Sequence, residues 1–237
     1  ERLWRPLASC AVVVAFLMLA GHQQPGFYVL VLGGVWALGR SADERAPRRL
    51  VWCAGGALLG VALAAVQIVP SADAVARSIR SGGLQLAYVS KPEYVIALRN
   101  LPKVILGPTF APLPVFDVGG VEMAAYVGVV ATVLAIAGVS FVATEARFRF
   151  TGLALAAAAV ISILLSAGPR NPAYVVAFKF IPGFNLFRVP SRIILVAVFS
   201  LAVLGAFGAH LIALGRFRAR SLAWFALGLV ALVAMVW

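Results

Sequence analysis

Arginines and carboxylates in this 237-residue chain fall in short clusters next to apolar runs, and the clusters have spacings that chemistry can use. Asp73, Arg77 and Arg80 follow one another at intervals of 4 and 3, which places them on one helical face. Two guanidiniums there could fork a phosphate while Asp73 orients one of them. The same spacing also describes a plain surface ion pair. Phe187-Arg188-Val189-Pro190-Ser191-Arg192 is more structured. Pro190 suits the first turn of a helix, where its missing N–H costs nothing. Free N–H groups at such a start attract anions, and Arg188 and Arg192 flank it.

Gly21-His22-Gln23-Gln24-Pro25-Gly26 joins two helix breakers to three polar side chains. His22 could donate to a sugar hydroxyl or a phosphate, or move a proton; a structural hydrogen bonder is the plainer reading. Gln23 and Gln24 stand beside it as candidate ligand donors. Asp73 and Glu122 are the carboxylates nearest these groups, and both are weak auxiliaries rather than assigned catalysts. His210 sits inside an apolar run and reads as a packing residue. No His, Cys and carboxylate cluster has metal-ligand spacing, so no metal site and no cofactor is assigned; a divalent ion finds no support in this chain. There is no P-loop, no dinucleotide-binding glycine pattern and no nucleophile elbow.

The elements that must hold these groups are apolar throughout. AVILMFWYC residues make up 63 % of the chain, and 12 % are charged. So little polar side chain cannot cover a water-facing globule, which excludes a soluble enzyme and also disorder. The formal charge of +12 fits cationic loops against an anionic leaflet better than a nucleic-acid partner, which is not expected. Cys10 and Cys53 lie in apolar runs and read as small packing residues.

Charge-free runs long enough to span as helices are Leu50 to Ala72, Met123 to Thr144, Phe150 to Pro169, Ile193 to Gly215 and the run Ser221 to Trp237. Pro6 to Gly39 would measure about 51 Å as one helix, too long for one span, and it breaks at the Gly21–Gly26 turn. It reads as a hairpin of two spans. The expectation is an all-α polytopic bundle of seven spans in one transmembrane domain, 1–237, truncated at both ends. With the N-terminus inside, the inner segments hold 11 arginines in 34 residues. The outer segments, 71–121 and 168–192, hold 9 Lys or Arg in 76, so cationic density favours that orientation. Within them, Val104 to Phe116 and Asn171 to Phe187 are apolar but broken by proline, and read as interfacial or re-entrant pieces. Gly55-Gly56 and Gly60 suit close helix packing.

In this order the motifs resemble those of bacterial YfhO-type membrane proteins. Gly21-His22-Gln23-Gln24 looks like their GHPQ turn, with Gln24 standing where the order is usually proline then glutamine. Gln67-Ile68-Val69-Pro70 followed by Ser78-Ile79-Arg80 is similar to their QxxP…SxR segment. Tyr126-Val127-Gly128 and Phe187 to Arg192 resemble their YVG and FRxPSR signatures. The resemblance covers about residues 15–210. It implies a GT-C type glycosyltransferase of the bacterial cytoplasmic membrane. Such an enzyme takes a sugar from a polyprenyl-phosphate carrier and passes it to a cell-envelope acceptor at the outer face. The family's acidic catalytic residue lies in the first outer loop, and this chain is expected to begin downstream of it. The implied partners are therefore membrane lipids and the lipid-linked sugar, with Arg77, Arg80, Arg188 and Arg192 toward the donor phosphate. A transporter or flippase of lipid-linked saccharides, or a non-catalytic membrane scaffold, remains the alternative.

Overall fold

The computed structural model describes residues 4–78, 80–97, 100, 126–181 and 183–215, with the Glu93 side chain set aside. These residues are helical throughout, with no strand among them. Helix α1 spans Trp4–Leu19, α2 Gln23–Asp43, α3 Arg48–Leu63 and α4 Ala65–Ala76. A short α5, Leu86–Val89, and a 3-10 turn, Pro92–Tyr94, follow. Then come α6 (Val129–Thr144), α7 (Arg149–Ser166), α8 (Pro172–Phe180) and α9 (Ile194–Ala213), the last entered through a 3-10 turn at Pro190–Ile193.

Among the described residues two helices are long and apolar enough to cross a membrane: α7, and α9 together with its entry turn, 24 residues from Pro190 to Ala213. The second is about 36 Å long at 1.5 Å per residue, against about 30 Å of hydrocarbon. A third span is added if α3 and α4 count as one broken span. Helices α1 and α6 are apolar but shorter. The all-helical class therefore stands, while the seven-span count extends beyond what these helices carry. Outward faces such as Phe16 and Leu58, 70 % and 71 % exposed, suit a hydrocarbon surround better than water.

Pro6 to Gly39 is broken into two helices as expected, though neither α1 nor α2 is among those both long and apolar enough to span a membrane. The break covers Ala20 to His22, with Gly21 at φ +77, and Pro25 falls in the first turn of α2, where its lack of an N–H costs nothing. Leu50 to Ala72, expected as one run, is bent by 71° where α3 meets α4. Ala64 at the corner is wholly buried, and Pro70 inside α4 crowds the Val66 carbonyl just past it. Gly56 and Gly60 lie directly against Leu7, Cys10, Ala11 and Val14 of α1, leaving no room for a side chain. Met123 to Thr144 is helical from Val129, after Gly128 at φ +94, and residues 123–125 lie outside the described residues. So do Glu122, Val104 to Phe116 and Ser221 to Trp237.

The core is formed by α2, α6, α7, α8 and α9 around Tyr28, Phe141, Leu155, Tyr174, Phe184 and Leu204. Helices α6 and α9 cross backbone to backbone, with Gly138 and Gly208 lying against the carbonyls of Leu204 and Leu134. At the far end of α2, Asp43 accepts hydrogen bonds from the backbone N–H of Phe150 and Thr151, at 2.8 and 2.9 Å. It thereby caps α7 from another helix and satisfies donors that α7 cannot satisfy itself. Beside it, Glu44 pairs with both Arg40 and Arg49.

Candidate functional site: an arginine-lined cavity

Three stretches distant in sequence meet at the Gln24 end of α2. The first is the α1–α2 turn. The second is the end of α4, where the N–H of Arg80 donates to the Ser78 hydroxyl at 3.1 Å. The third is Phe187 to Arg192. One backbone bond, Leu84 N–H to the Asn185 carbonyl at 2.9 Å, ties the second stretch to the third. Gly83, at φ +80, lets the chain turn tightly against the Asn185 side chain, where a Cβ would have no room.

The third stretch alternates. Val189, Pro190 and Ser191 are buried, while Arg188 is exposed and Arg192 half-buried. Phe187 anchors it against Phe27 and Tyr28, with ring centroids 5.1 and 6.0 Å away. With its apolar members clamped inside, the segment turns its arginines outward into a shared space.

That space is a cavity of about 330 Å³. Six of the expected site residues line it: His22, Gln23, Gln24, Arg80, Arg188 and Arg192, together with Val75 and Phe187. No carboxylate is among the described lining residues. Gln24 is there in a supporting role. It is buried, and its amide nitrogen donates to the Val189 carbonyl at 2.7 Å and the Tyr28 hydroxyl at 3.0 Å. Its amide oxygen accepts from Arg192 at 3.1 Å. The glutamine thus orients the guanidinium and leaves its charge in place.

Asp73 and Arg77 are elsewhere. They form an exposed pair at 3.0 Å, with the Arg77 side chain 77 % exposed, and neither lines the cavity. Of the arginines carried on α4 and its end, Arg80 alone reaches the site; the surface ion pair is what the 73–77 spacing makes. His210 lies edge-on to Phe141 at 5.8 Å, away from the cavity, as a packing residue would. No group of His, Cys and carboxylates among the described residues could hold a metal ion.

Tyr88, Lys91 and Tyr94 adjoin the site, and sequence reasoning singled out none of them. The Arg188 guanidinium carbon lies 5.2 Å over the Tyr94 ring, and Lys91 Nζ lies 5.1 Å over the Tyr88 ring. Tyr94, by hydrogen bonding, and then Arg188 and Lys91 pull the Tyr88 phenol below its ordinary value. Ile96 N–H bonds the Ser166 carbonyl at 3.0 Å, which fastens this segment to the end of α7. The only advance signal was two tyrosines and a lysine inside a non-spanning segment.

Comparison with known protein families, curated proteins and solved structures returned no match to this chain. The site's reading therefore stands on its geometry. Three guanidiniums, a histidine and two amides, with no carboxylate among the described lining residues, are chemistry suited to an anion with several oxygens such as a phosphate.

Proposed function

We propose that the chain is part of a membrane glycosyltransferase. It would move a sugar from a polyprenyl-phosphate carrier to a cell-envelope acceptor at the outer face of the bacterial cytoplasmic membrane. One observation carries the reading. Arg80, Arg188 and Arg192, from segments more than a hundred residues apart, converge with His22 on one cavity beside apolar helices, with no carboxylate among its described lining residues. A lipid-borne phosphate needs that combination: a cationic pocket for the head and an apolar surround for the tail.

In the proposed step an acceptor oxygen bonds to the anomeric carbon as the bond from that carbon to the phosphate oxygen breaks. The phosphate departs with the electron pair, and the arginines stabilise the charge that develops on it. The acceptor's proton passes to a base, which the described cavity residues do not supply as a carboxylate. Asp73 is turned away in its own ion pair, and Glu122 lies outside the described residues.

The test is sugar transfer in membranes containing the chain, with and without R188Q/R192Q. Each lost charged hydrogen-bond donor weakens phosphate holding by about tenfold or more, so the double variant loses about a hundredfold at unchanged membrane level. Unchanged transfer overturns the reading. Titrating the protein with dodecyl phosphate and with inorganic phosphate then separates a lipid head from a free ion.

The 71° bend between α3 and α4 favours a second reading, a carrier of lipid-linked saccharides, because broken helices are common in transporters. Movement of the intact lipid-linked sugar across vesicles, without hydrolysis or transfer, would select it.

A further inference from the structure

Arg188 and Arg192 are held in different ways. Arg192 is oriented by a buried amide, Gln24. Arg188 stands exposed on its backbone, with its guanidinium spread over an aromatic ring at 5.2 Å. The ring is itself placed. Tyr94 packs against Tyr88 at 6.0 Å and 44°, and the Tyr88 phenol also bonds Arg188.

We propose that Tyr94, backed by Tyr88, is the positioning residue of the cavity: its ring face holds Arg188 aimed at the anion without neutralising it. A free arginine side chain surrenders rotamer freedom when it is fixed on a ligand. A carboxylate partner would prepay that cost but cancel the charge the ligand needs. An aromatic face fixes the guanidinium through its quadrupole and leaves the N–H fork and the full charge free. The same fold uses the carboxylate solution elsewhere: Arg40 lies 5.4 Å over the Phe148 ring but is also paired with Glu44. There the arginine joins helices. At Arg188 the described residues offer the ring and no carboxylate. The lowered phenol of Tyr88 fits this arrangement, since Tyr94 hydrogen-bonds it and two cations face it.

The inference rests on the reading of the cavity as a phosphate site, and the experiment separates the two. The full chain in phosphatidylcholine nanodiscs is titrated with dodecyl phosphate. Y94L is expected to bind about five- to thirtyfold more weakly, the range of a partly desolvated cation–ring contact, while Y94F stays within about twofold of wild type. In an R188Q background Y94L has no further effect, because Tyr94 acts through Arg188. Equal binding by Y94L and wild type, or additive losses of Y94L and R188Q, overturns the positioning role and leaves the cavity reading standing. Should wild type fail to bind dodecyl phosphate, both fall. If Y94L does not fold, Y88F takes its place; it removes the phenol that bonds both Tyr94 and Arg188. A two- to threefold loss that disappears in R188Q supports the proposal, and no loss overturns it.

Discussion

At the Gln24 end of α2, three arginines face a cavity with no carboxylate among its described lining residues. At the Asp43 end of the same helix, Arg40 and Arg49 share Glu44, and Asp43 is spent on the start of α7. Both ends are rich in arginine, so residue type does not separate them. What separates them is the company each arginine keeps. Charges closed by carboxylates within the protein tie helices together and offer a ligand little. At the other end an amide and a ring position Arg192 and Arg188 beside the cavity. One end ties helices together, and the other is the end we propose to hold an anion.

Removing Asp43 should test the structural end hardest. D43A leaves two backbone donors at the start of α7 without their acceptor and should cost about 1–2 kcal/mol. Thermal unfolding in detergent should show a lowered midpoint, while dodecyl phosphate affinity in the folded protein stays unchanged. Lost affinity with an unchanged midpoint would reverse the roles of the two ends.

A smaller effect follows from pH at the cavity end. The Tyr88 phenol ionises below its ordinary value, and its phenolate would sit against Arg188 and Lys91. Between about pH 8 and 10 a phosphate monoester is already dianionic, so its own charge is constant. Binding of the anion withdraws positive charge from Tyr88 and raises its pKa in the complex. Affinity should therefore fall severalfold as pH rises through the phenol's ionisation. Y88F should flatten the decline; an equal decline in Y88F would assign it to a group other than Tyr88.

The smallest effect belongs to Arg77. An exposed pair of this kind is worth at most about 1 kcal/mol and is screened by salt. R77A should leave both unfolding and phosphate affinity within about twofold. A tenfold loss of affinity would bring Arg77 into the site after all.

The contrast between Arg77 and Arg80 shows how far spacing alone reaches. Intervals of 4 and 3 placed Asp73, Arg77 and Arg80 on one helical face. Yet α4 ends at Ala76, so Arg80 leaves the helix and turns into the cavity while Arg77 stays on the surface. The Phe187 to Arg192 motif was legible because its alternation of apolar and cationic residues is local. Its meeting with the α1–α2 turn depended on α2 and α9 packing side by side, which no local spacing encodes.

The sequence by itself determined that this chain is helical, apolar and broken at Gly21, because composition and helix breakers act within a few residues. It also determined which arginines stand at the ends of apolar runs. Only the tertiary structure decided which of those arginines pair with carboxylates inside the fold and which line the cavity. It alone placed Asp43 on α7 and laid Tyr94 under Arg188. The physical reason is distance. Pairing of charges, rings and caps falls off within a few ångströms, and residues 94 and 188 come that close only once the core has been packed.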